Sequence, residues 1–368
     1  MKHKYFFIPI FFLLLLAIHY LFYKRVIKKL LISPASQKKL GVLLGINYLF
    51  NLLYALGRYT DLTVGSLYFL FSLSFGITFI LFLYLIVHEV VELLHRSFKN
   101  FDPSRRNLFK KSGDGALMAL STTYLTAATY EGSKEPIVNI IEAGCCDFSI
   151  VQISDLHIGG LIDRSFVKNT VKTINTLKPD IVVITGDLID TGIRTIKEAI
   201  LELNDLRPAE GVYMVLGNHE YFHGPHEIID FIQKETIITL LINDAVVIDR
   251  LKVNIVGVAD LFGYRLDLFQ PDIHKAFKET NEHYKTILLA HQPKYIEELG
   301  DYKPDLILSG HTHGGQIWPL NYLVSLQQPY VKGLHTLPHG GKIYVNCGIG
   351  YWGPPMRLGS QAEIAYIV

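Results

Sequence analysis

The chain divides by its hydrophobic pattern before any single residue is considered. In the N-terminal quarter apolar positions run almost unbroken. Tyr5 to Tyr23 has no Asp, Glu, Lys or Arg, Leu40 to Leu56 is interrupted only by Asn47, Asn51 and glycines, and Val64 to Val87 forms a third run. A helix needs about 20 apolar residues to cross the ~30 Å hydrocarbon layer. The first and third runs meet that length, and the second spans as half of a hairpin with its neighbour. None has a polar face to give to water, which argues against buried helices of a soluble domain.

From Phe148 the texture changes to short apolar runs alternating with amphipathic stretches. Phe148–Ile153, Ile181–Ile184 and Val212–Leu216 read as strands, with helical periods at Phe166–Leu177 and Ile193–Leu206 between them. Strands alternating with helices of that size imply βαβ units. Ile237–Ile242, Val246–Ile248 and Val253–Val258 then follow closely without helices, as in an antiparallel sheet. Thr286–Ala290, Asp305–Leu308, Ile343–Val345 and Ile364–Ile367 complete the strand set. The expected fold class is α/β, a mixed β-sandwich flanked by helices, preceded by a helical transmembrane region. Gly132, Ser133 and Pro136 make Glu131–Ala143 read as a linker. The expected division is therefore 1–95 membrane helices, 96–143 basic segment and linker, and 144–368 soluble domain.

Charge refines the membrane half. Lys24, Arg25, Lys28, Lys29, Lys38 and Lys39 lie between the first two runs, and only Arg58 and Asp61 between the second and third. Arg96, Lys99, Arg105, Arg106, Lys110 and Lys111 follow the third. Basic loops stay cytoplasmic, which leaves the Arg58 loop outside; Lys2 and Lys4 then also fall outside, against the rule. Ser104–Lys111 precedes a weakly apolar Ala/Thr-rich run, Gly115–Ala128, and the pair resembles a twin-arginine export signal. That reading adds a fourth span and puts the soluble domain outside the cytoplasm. The competing reading is a basic clamp on anionic lipid followed by a surface helix.

The net charge of +1 gives no basic excess for neutralising phosphates, so nucleic acid is not an expected partner. The three cysteines, Cys145, Cys146 and Cys347, lack the paired spacing of a zinc ribbon.

The chemistry lies where the strands end. Asp155 and His157, Asp187, Asn218, His291, and His311 with His313 each follow a predicted strand. Ligands of open α/β sheets bind beyond the carboxyl ends of strands, so these side chains are expected to gather at one edge. His311 and His313, at i and i+2 in an extended segment, point the same way. Two carboxylates, one amide and four imidazoles without a thiolate suit Mn, Fe or Zn. Seven donors are too many for one tetrahedral ion but enough for two divalent ions sharing a carboxylate, and Asp187, held by Gly186, is the expected bridge.

Taken in order, Asp155-x-His157, Gly186-Asp187, Gly217-Asn218-His219-Glu220, His291 and Gly310-His311-x-His313 resemble the signature blocks of the calcineurin-like metallophosphoesterases. The resemblance covers Phe148 to the C-terminus and implies a four-layer fold and a metal-dependent phosphoric ester hydrolase. It implies that Asp155, His157, Asp187 and His313 hold one ion and Asp187, Asn218, His291 and His311 the other. His219 is then the catalytic residue, facing the substrate rather than a metal. The Gly310–Gln316 block, the membrane-associated N-terminus and Gly348-Ile349-Gly350…Pro354-Pro355-Met356-Arg357 resemble a bacterial membrane-linked branch. Many members carry Asp-Arg after the aspartate block, whereas Thr191 follows Asp190 here, so a role for that arginine is absent. Asp190 is expected either to orient a ligand or to serve as a turn residue. His223, His226, His335 and His339 are expected as loop histidines, one or two of them near the substrate.

The run after the histidines is apolar for a connection: Ile317, Trp318, Leu320, Tyr322, Leu323 and Leu326, with Tyr351 and Trp352 later. It reads either as a hairpin packed on its own sheet or as a lip dipping into the bilayer interface. Related enzymes hydrolyse phosphodiesters, including the pyrophosphate of UDP-diacylglucosamine. The functional expectation is a membrane-anchored phosphodiesterase or pyrophosphatase with a lipid-linked phosphoester substrate, multi-pass in a bacterial inner membrane with its catalytic domain outside. The alternatives are a phosphomonoesterase of soluble or protein substrates, and a membrane sensor with a non-catalytic metal-binding domain.

Overall fold

The computed structural model describes residues 4–59, 65–97, 103–144 and 147–368. They form two compact units, Met1–Tyr130 with Gly353–Met356, and Glu131–Trp352 with Arg357–Val368. Cys145, Cys146, Lys2, Asp61 and Lys99, with the side chains of Lys4, Arg58, Arg96 and Arg106, lie outside the described residues.

The first unit contains α1 (Lys4–Arg25), α2 (Pro34–Tyr59), α3 (Gly65–Ser97) and α4 (Pro103–Gly132). Among the described residues three stretches are long and apolar enough to cross a membrane: Pro9–Lys29, Pro34–Gly57 and Leu67–Leu94. The second is longer than its apolar run implied. Ser33 receives the Ser36 N–H at 3.1 Å and starts α2 ahead of Lys38 and Lys39, so basic residues occupy its first turns. The twin-arginine segment and the Ala/Thr-rich run after it form one continuous helix, α4, which is not among the stretches apolar enough to span. Between the apolar helices lies a polar knot: Asn47 and Asn51 both donate to Thr78 Oγ1, at 2.8 and 2.7 Å, and Asn47 also lies 3.1 Å from His19. Such side-chain bonds join helices in a medium with no water to satisfy them. His88, which the sequence pattern did not single out, is buried as well.

The second unit is built on two six-stranded mixed sheets. The strands in chain order are β1 (Ile137–Ile141), β2 (Ile150–Ile153), β3 (Ile181–Thr185), β4 (Val212–Val215), β5 (Ile238–Leu240), β6 (Asp244–Ile248), β7 (Val253–Gly257), β8 (Lys285–Leu289), β9 (Leu306–Ser309), β10 (Gly333–Thr336), β11 (Lys342–Val345) and β12 (Glu363–Ile367). One sheet runs β1-β12-β2-β3-β4-β5 and the other β10-β11-β9-β8-β7-β6. Alternate residues of each strand face opposite layers. Ile181, Val183, Ile255, Ile287 and Leu308 meet between the sheets. Val182 and Ile184 face α5 (Arg164–Leu177), α6 (Ile193–Leu201) and the longer helix Pro225–Glu235. Val256, Leu288 and Ile307 pack outward on Tyr295 and Leu299. The result is the expected four-layer mixed sandwich.

Two local expectations are corrected. The supposed linker contains β1, an edge strand paired in parallel with β12 over Ile137–Ile141. Its β-branched run was masked by the breakers that precede it. Of the three close-spaced runs only β6 and β7 form an antiparallel pair, whereas β5 pairs in parallel with β4 in the other sheet.

Ile287 has no exposed surface at the centre of the inter-sheet layer. Replacing it with Ala is expected to destabilise this unit by about 2–5 kcal/mol through the cavity left behind. A fall in the thermal midpoint of the detergent-extracted protein measures it.

Candidate metal centre

Neighbouring strands continue to hydrogen-bond past their ends, which brings the following loops together. Asp155 N–H donates to Gly186 O at 3.1 Å, His157 N–H to Asp187 O at 3.0 Å, and Gly310 N–H to His291 O at 2.9 Å. Asp155 and His157 therefore follow β2, Asp187 follows β3, and Asn218 and His219 follow β4 on a short helix, Asn218–Phe222. His291 follows β8, and His311 and His313 follow β9. All eight predicted residues lie at one rim.

Asp155, His157, Asp187, His311 and His313 have φ between 49° and 69°. Residues with a Cβ seldom adopt that region, and such strain persists where the surroundings over-determine it, typically at functional sites. Five of the seven expected ligands are bent this way, which turns their side chains into a common space.

Among the described residues four donor groups result: His157, Asp187 and His219 form one, Asp190, His219 and His223 another, and the remaining two fall within the expected sets. Asp155, His157 and His313 form one, with His157 Nε2 and His313 Nε2 3.0 Å apart and His313 Nε2 3.6 Å from Asp155 Oδ1. Asp187, His291 and His311 form the other, with His311 Nδ1 and Asn218 Oδ1 each 3.2 Å from His291 Nε2. Asp187 divides its carboxylate between tasks. Its Oδ1 accepts the His219 N–H at 2.8 Å, while Oδ2 lies 3.3 Å from His291 Nε2 and 3.9 Å from both His157 Nε2 and His219 Nε2.

The arrangement fits a pair of cations. Imidazole nitrogens facing each other at 3.0 Å repel unless they share a proton or turn both lone pairs to a cation. Each of these residues except Asn218 and His311 is buried, so water cannot take that place freely. Burial, aided by the charge on His291, pushes His311 down to about 3, and burial with the His157 charge holds His313 well below its usual range; both present neutral lone pairs. Burial opposes charge on His291, yet Asp187 and Asp155 drive it well above the ordinary imidazole value. Burial would raise Asp187, but His291, His219 and His157 outweigh it and hold the carboxyl well below normal. Burial, aided by the Asp187 charge, raises Asp155 above its ordinary value despite His291 and His157, so the imidazoles alone do not balance the two carboxylates and an added cation at this rim would.

His219 stands beside both expected sets. Asp190 Oδ1 lies 2.7 Å from His219 Nδ1; a carboxylate can only accept, so Nδ1 carries the hydrogen and Nε2 faces the rim. His223 Nε2 lies 3.9 Å from the same carboxylate, and His223 is the one loop histidine of the four expected that the structure brings to the site. His226 packs on Phe269, His335 lies 2.9 Å from Lys332 O, and His339 lies 3.2 Å from Pro304 O.

Sequence reasoning gave Glu220 no role, yet it braces the bridge. Its two oxygens accept N–H groups of Asp187, Leu188, Ile189 and Gly217 at 2.7–3.2 Å. Burial and the Asp187 charge push its carboxyl up to about 7 while those N–H groups pull it down. Glu220 at the third helical position reaches back to the Gly217 N–H, the half of a capping box that the helix itself supplies, and an acidic residue there is its sequence signal. Gly217 itself has no room for a side chain, since a Cβ there would overlap Asp187.

Fold and rim together define an α/β double-sheet protein whose histidine and aspartate clusters fit two metal ions. Residues 148–315 match the calcineurin-like phosphoesterase family. The chain belongs to that family. It is 32% identical to the uncharacterized metallophosphoesterase Cj0846 of Campylobacter jejuni, over 94% of this chain and 93% of that one. It is 34% identical to a Bos taurus transmembrane protein with a metallophosphoesterase domain, over 69% of this chain and 62% of that one. The UDP-2,3-diacylglucosamine pyrophosphatase LpxG of Chlamydia trachomatis is 30% identical, over 58% of this chain and 81% of that one. The family is one of phosphoester hydrolases that use metals, and its relatives include membrane proteins.

Proposed function

We propose that the protein is a membrane-anchored dinuclear-metal phosphoesterase acting as a phosphodiesterase or pyrophosphatase on a lipid-linked substrate. The observation that carries this reading is the Asp187 carboxylate standing between two donor groups. In it, Asp155, His157, Asp187 and His313 hold one divalent ion, and Asp187, Asn218, His291 and His311 the other, with Mn, Fe or Zn suited to the donors. Bound there, two such ions would supply Lewis acidity and lower the pKa of a water near the phosphorus. The chain's own contribution is to aim and to move protons. His219 presents Nε2 to the departing oxygen and protonates it, and Asp190 fixes its tautomer and stabilises the imidazolium.

The lipid-linked substrate is supported by three features. The chain carries helices able to span a bilayer. A relative of the same family is a pyrophosphatase of a diacylated sugar nucleotide. The run after the histidines supports the lip reading: Ile317 is buried, but Trp318 is 51%, Tyr322 62%, Leu323 59%, Leu326 80% and Trp352 56% exposed. Gln316 ties its two parts, donating to Trp352 O at 3.0 Å and accepting the Trp352 N–H at 2.9 Å. Trp and Tyr beside Leu favour the level of lipid headgroups.

Each large apolar side chain removed from water contributes about 1.5–3 kcal/mol. Trp318→Ser with Leu326→Ser is therefore expected to cut turnover of a lipid-dispersed diester at least about tenfold, leaving a water-soluble diester unaffected. Equal loss on both substrates would remove the lip from substrate capture.

The proposed setting is a multi-pass anchor in the cytoplasmic membrane (residues 1–95), a basic segment (96–130) and a catalytic domain that begins with the β1 segment (131–368); an extracytoplasmic position for that domain rests on α4 crossing as a fourth span, with a less apolar sequence than the other three. A reporter fused after Tyr130 that works only in the cytoplasm would reverse that orientation. The activity itself is tested by metal content and by turnover of diester and monoester probes on detergent-extracted protein. Two ions per chain and a diester preference are expected. A single ion at any Mn or Zn concentration would overturn the dinuclear reading, and a monoester preference the substrate class.

A further inference from the structure

One sequence block takes no part in this chemistry, the Gly348-Ile349-Gly350…Arg357 stretch. Arg357 is almost wholly buried, and among the described residues it forms no ion pair with a carboxylate. Its guanidinium gathers three carbonyls of one loop instead: Nη1 donates to Cys347 O at 3.0 Å, and Nη2 to Gly348 O at 3.0 Å and Gly350 O at 2.7 Å. Burying a charge without a counter-ion costs several kcal/mol, and an apolar side chain would serve stability better. The guanidinium's planar fork is suited to holding several acceptors in fixed relation.

The loop it gathers lies against one half of the metal centre. Ile349 N–H donates to Ser154 O at 3.0 Å and Gly350 N–H to Asp155 O at 2.9 Å, which pins the segment carrying Asp155. Gly348, at φ +73°, comes so near that a Cβ there would lie 3.0 Å from Asp155 Cβ and 3.1 Å from His313 Nδ1. The other half touches this one where the His311 N–H donates to Asp155 Oδ1 and Oδ2 at 3.1 and 3.0 Å, but His291 and Asp187 are held by other partners. His291 Nδ1 lies 2.7 Å from Thr185 O, and Asp187 is braced by Glu220.

We propose that Arg357 is a positioning residue that sets the Asp155–His313 half of the centre through loop 347–350, independently of the half containing Asn218 and His291. The proposal rests on the two-ion reading above.

The test uses the full-length protein in detergent, stripped by chelation and titrated with Mn2+ alone. Two binding classes are expected in the unaltered protein, one removed by His313→Gln and the other by Asn218→Ala. Arg357→Gln should weaken the class that His313→Gln removes, by the roughly 10–100-fold typical of residues that orient ligands. The other class should stay unchanged. Arg357→Lys, which keeps the charge but not the fork, should recover only part of the loss. Equal weakening of both classes, or of neither, overturns the proposal. Should Arg357→Gln fail to fold, Gly348→Ala presses on the same two ligands and must weaken the same class alone, and any other pattern overturns it. A single class in the unaltered protein would instead sink the two-ion reading, and this proposal with it.

Discussion

Asp187→Asn is expected to empty both metal positions while the protein stays folded. The substitution is isosteric, so the Oδ1 contact with the His219 N–H, 2.8 Å long, survives. What is lost is the negative charge on Oδ2, which faces His291 at 3.3 Å and His157 at 3.9 Å. One side chain thus stands near imidazoles of both donor groups. Metal affinity should fall in both classes by more than the roughly 100-fold upper end for residues that merely orient ligands. Turnover should fall by more than the approximately 10⁴-fold upper end for losing a general acid. Metal analysis after gel filtration, beside an unfolding curve matching that of the unaltered protein, checks both. Retention of one tightly bound ion would mean that Asp187 belongs to a single position.

The rim was legible in the sequence because its residues obey a strand-to-loop rhythm. Each short apolar run ends in a polar residue, most with Gly nearby (His291 is followed by Pro293 instead), and the βαβ order aligns those ends without knowledge of packing. What escaped was set by partners far along the chain. β1 follows Gly132, Ser133 and Pro136, and only its pairing with β12, some 220 residues later, makes Ile137–Ile141 a strand. β5 has the same local texture as β6, yet it adds to the first sheet because the helix Pro225–Glu235 returns it beside β4. The positive φ values of Asp155, His157, Asp187, His311 and His313 were readable only in type: Asp and His enter that region more often than other residues with a Cβ, but nothing local says which of them will. Glu220 was readable as a cap, but its reach to the Asp187 loop depends on β3 and β4 being neighbours. Arg357 gives no local hint of burial.

His219→Ala separates metal binding from chemistry. The His219 ring lies 4.5 Å from the His157 ring, centre to centre, and its Nε2 is 3.9 Å from Asp187 Oδ2, close to the donor groups but in neither proposed coordination set. Its backbone N–H, which holds Asp187, is untouched by the substitution. Metal content should therefore remain at two ions. Turnover should fall by about 10²–10⁴-fold, the usual contribution of a positioned general acid. The loss should shrink for substrates whose leaving group is already acidic, because such an oxygen departs without a proton. Comparing a p-nitrophenyl diester with an alkyl diester in both proteins reads that difference directly. Asp190→Asn should produce a smaller version of the same pattern, since the amide still fills the space beside Nδ1 but no longer stabilises the imidazolium. If the loss were equal for both leaving groups, His219 would be assigned to binding the phosphoryl oxygens instead of protonating the leaving oxygen.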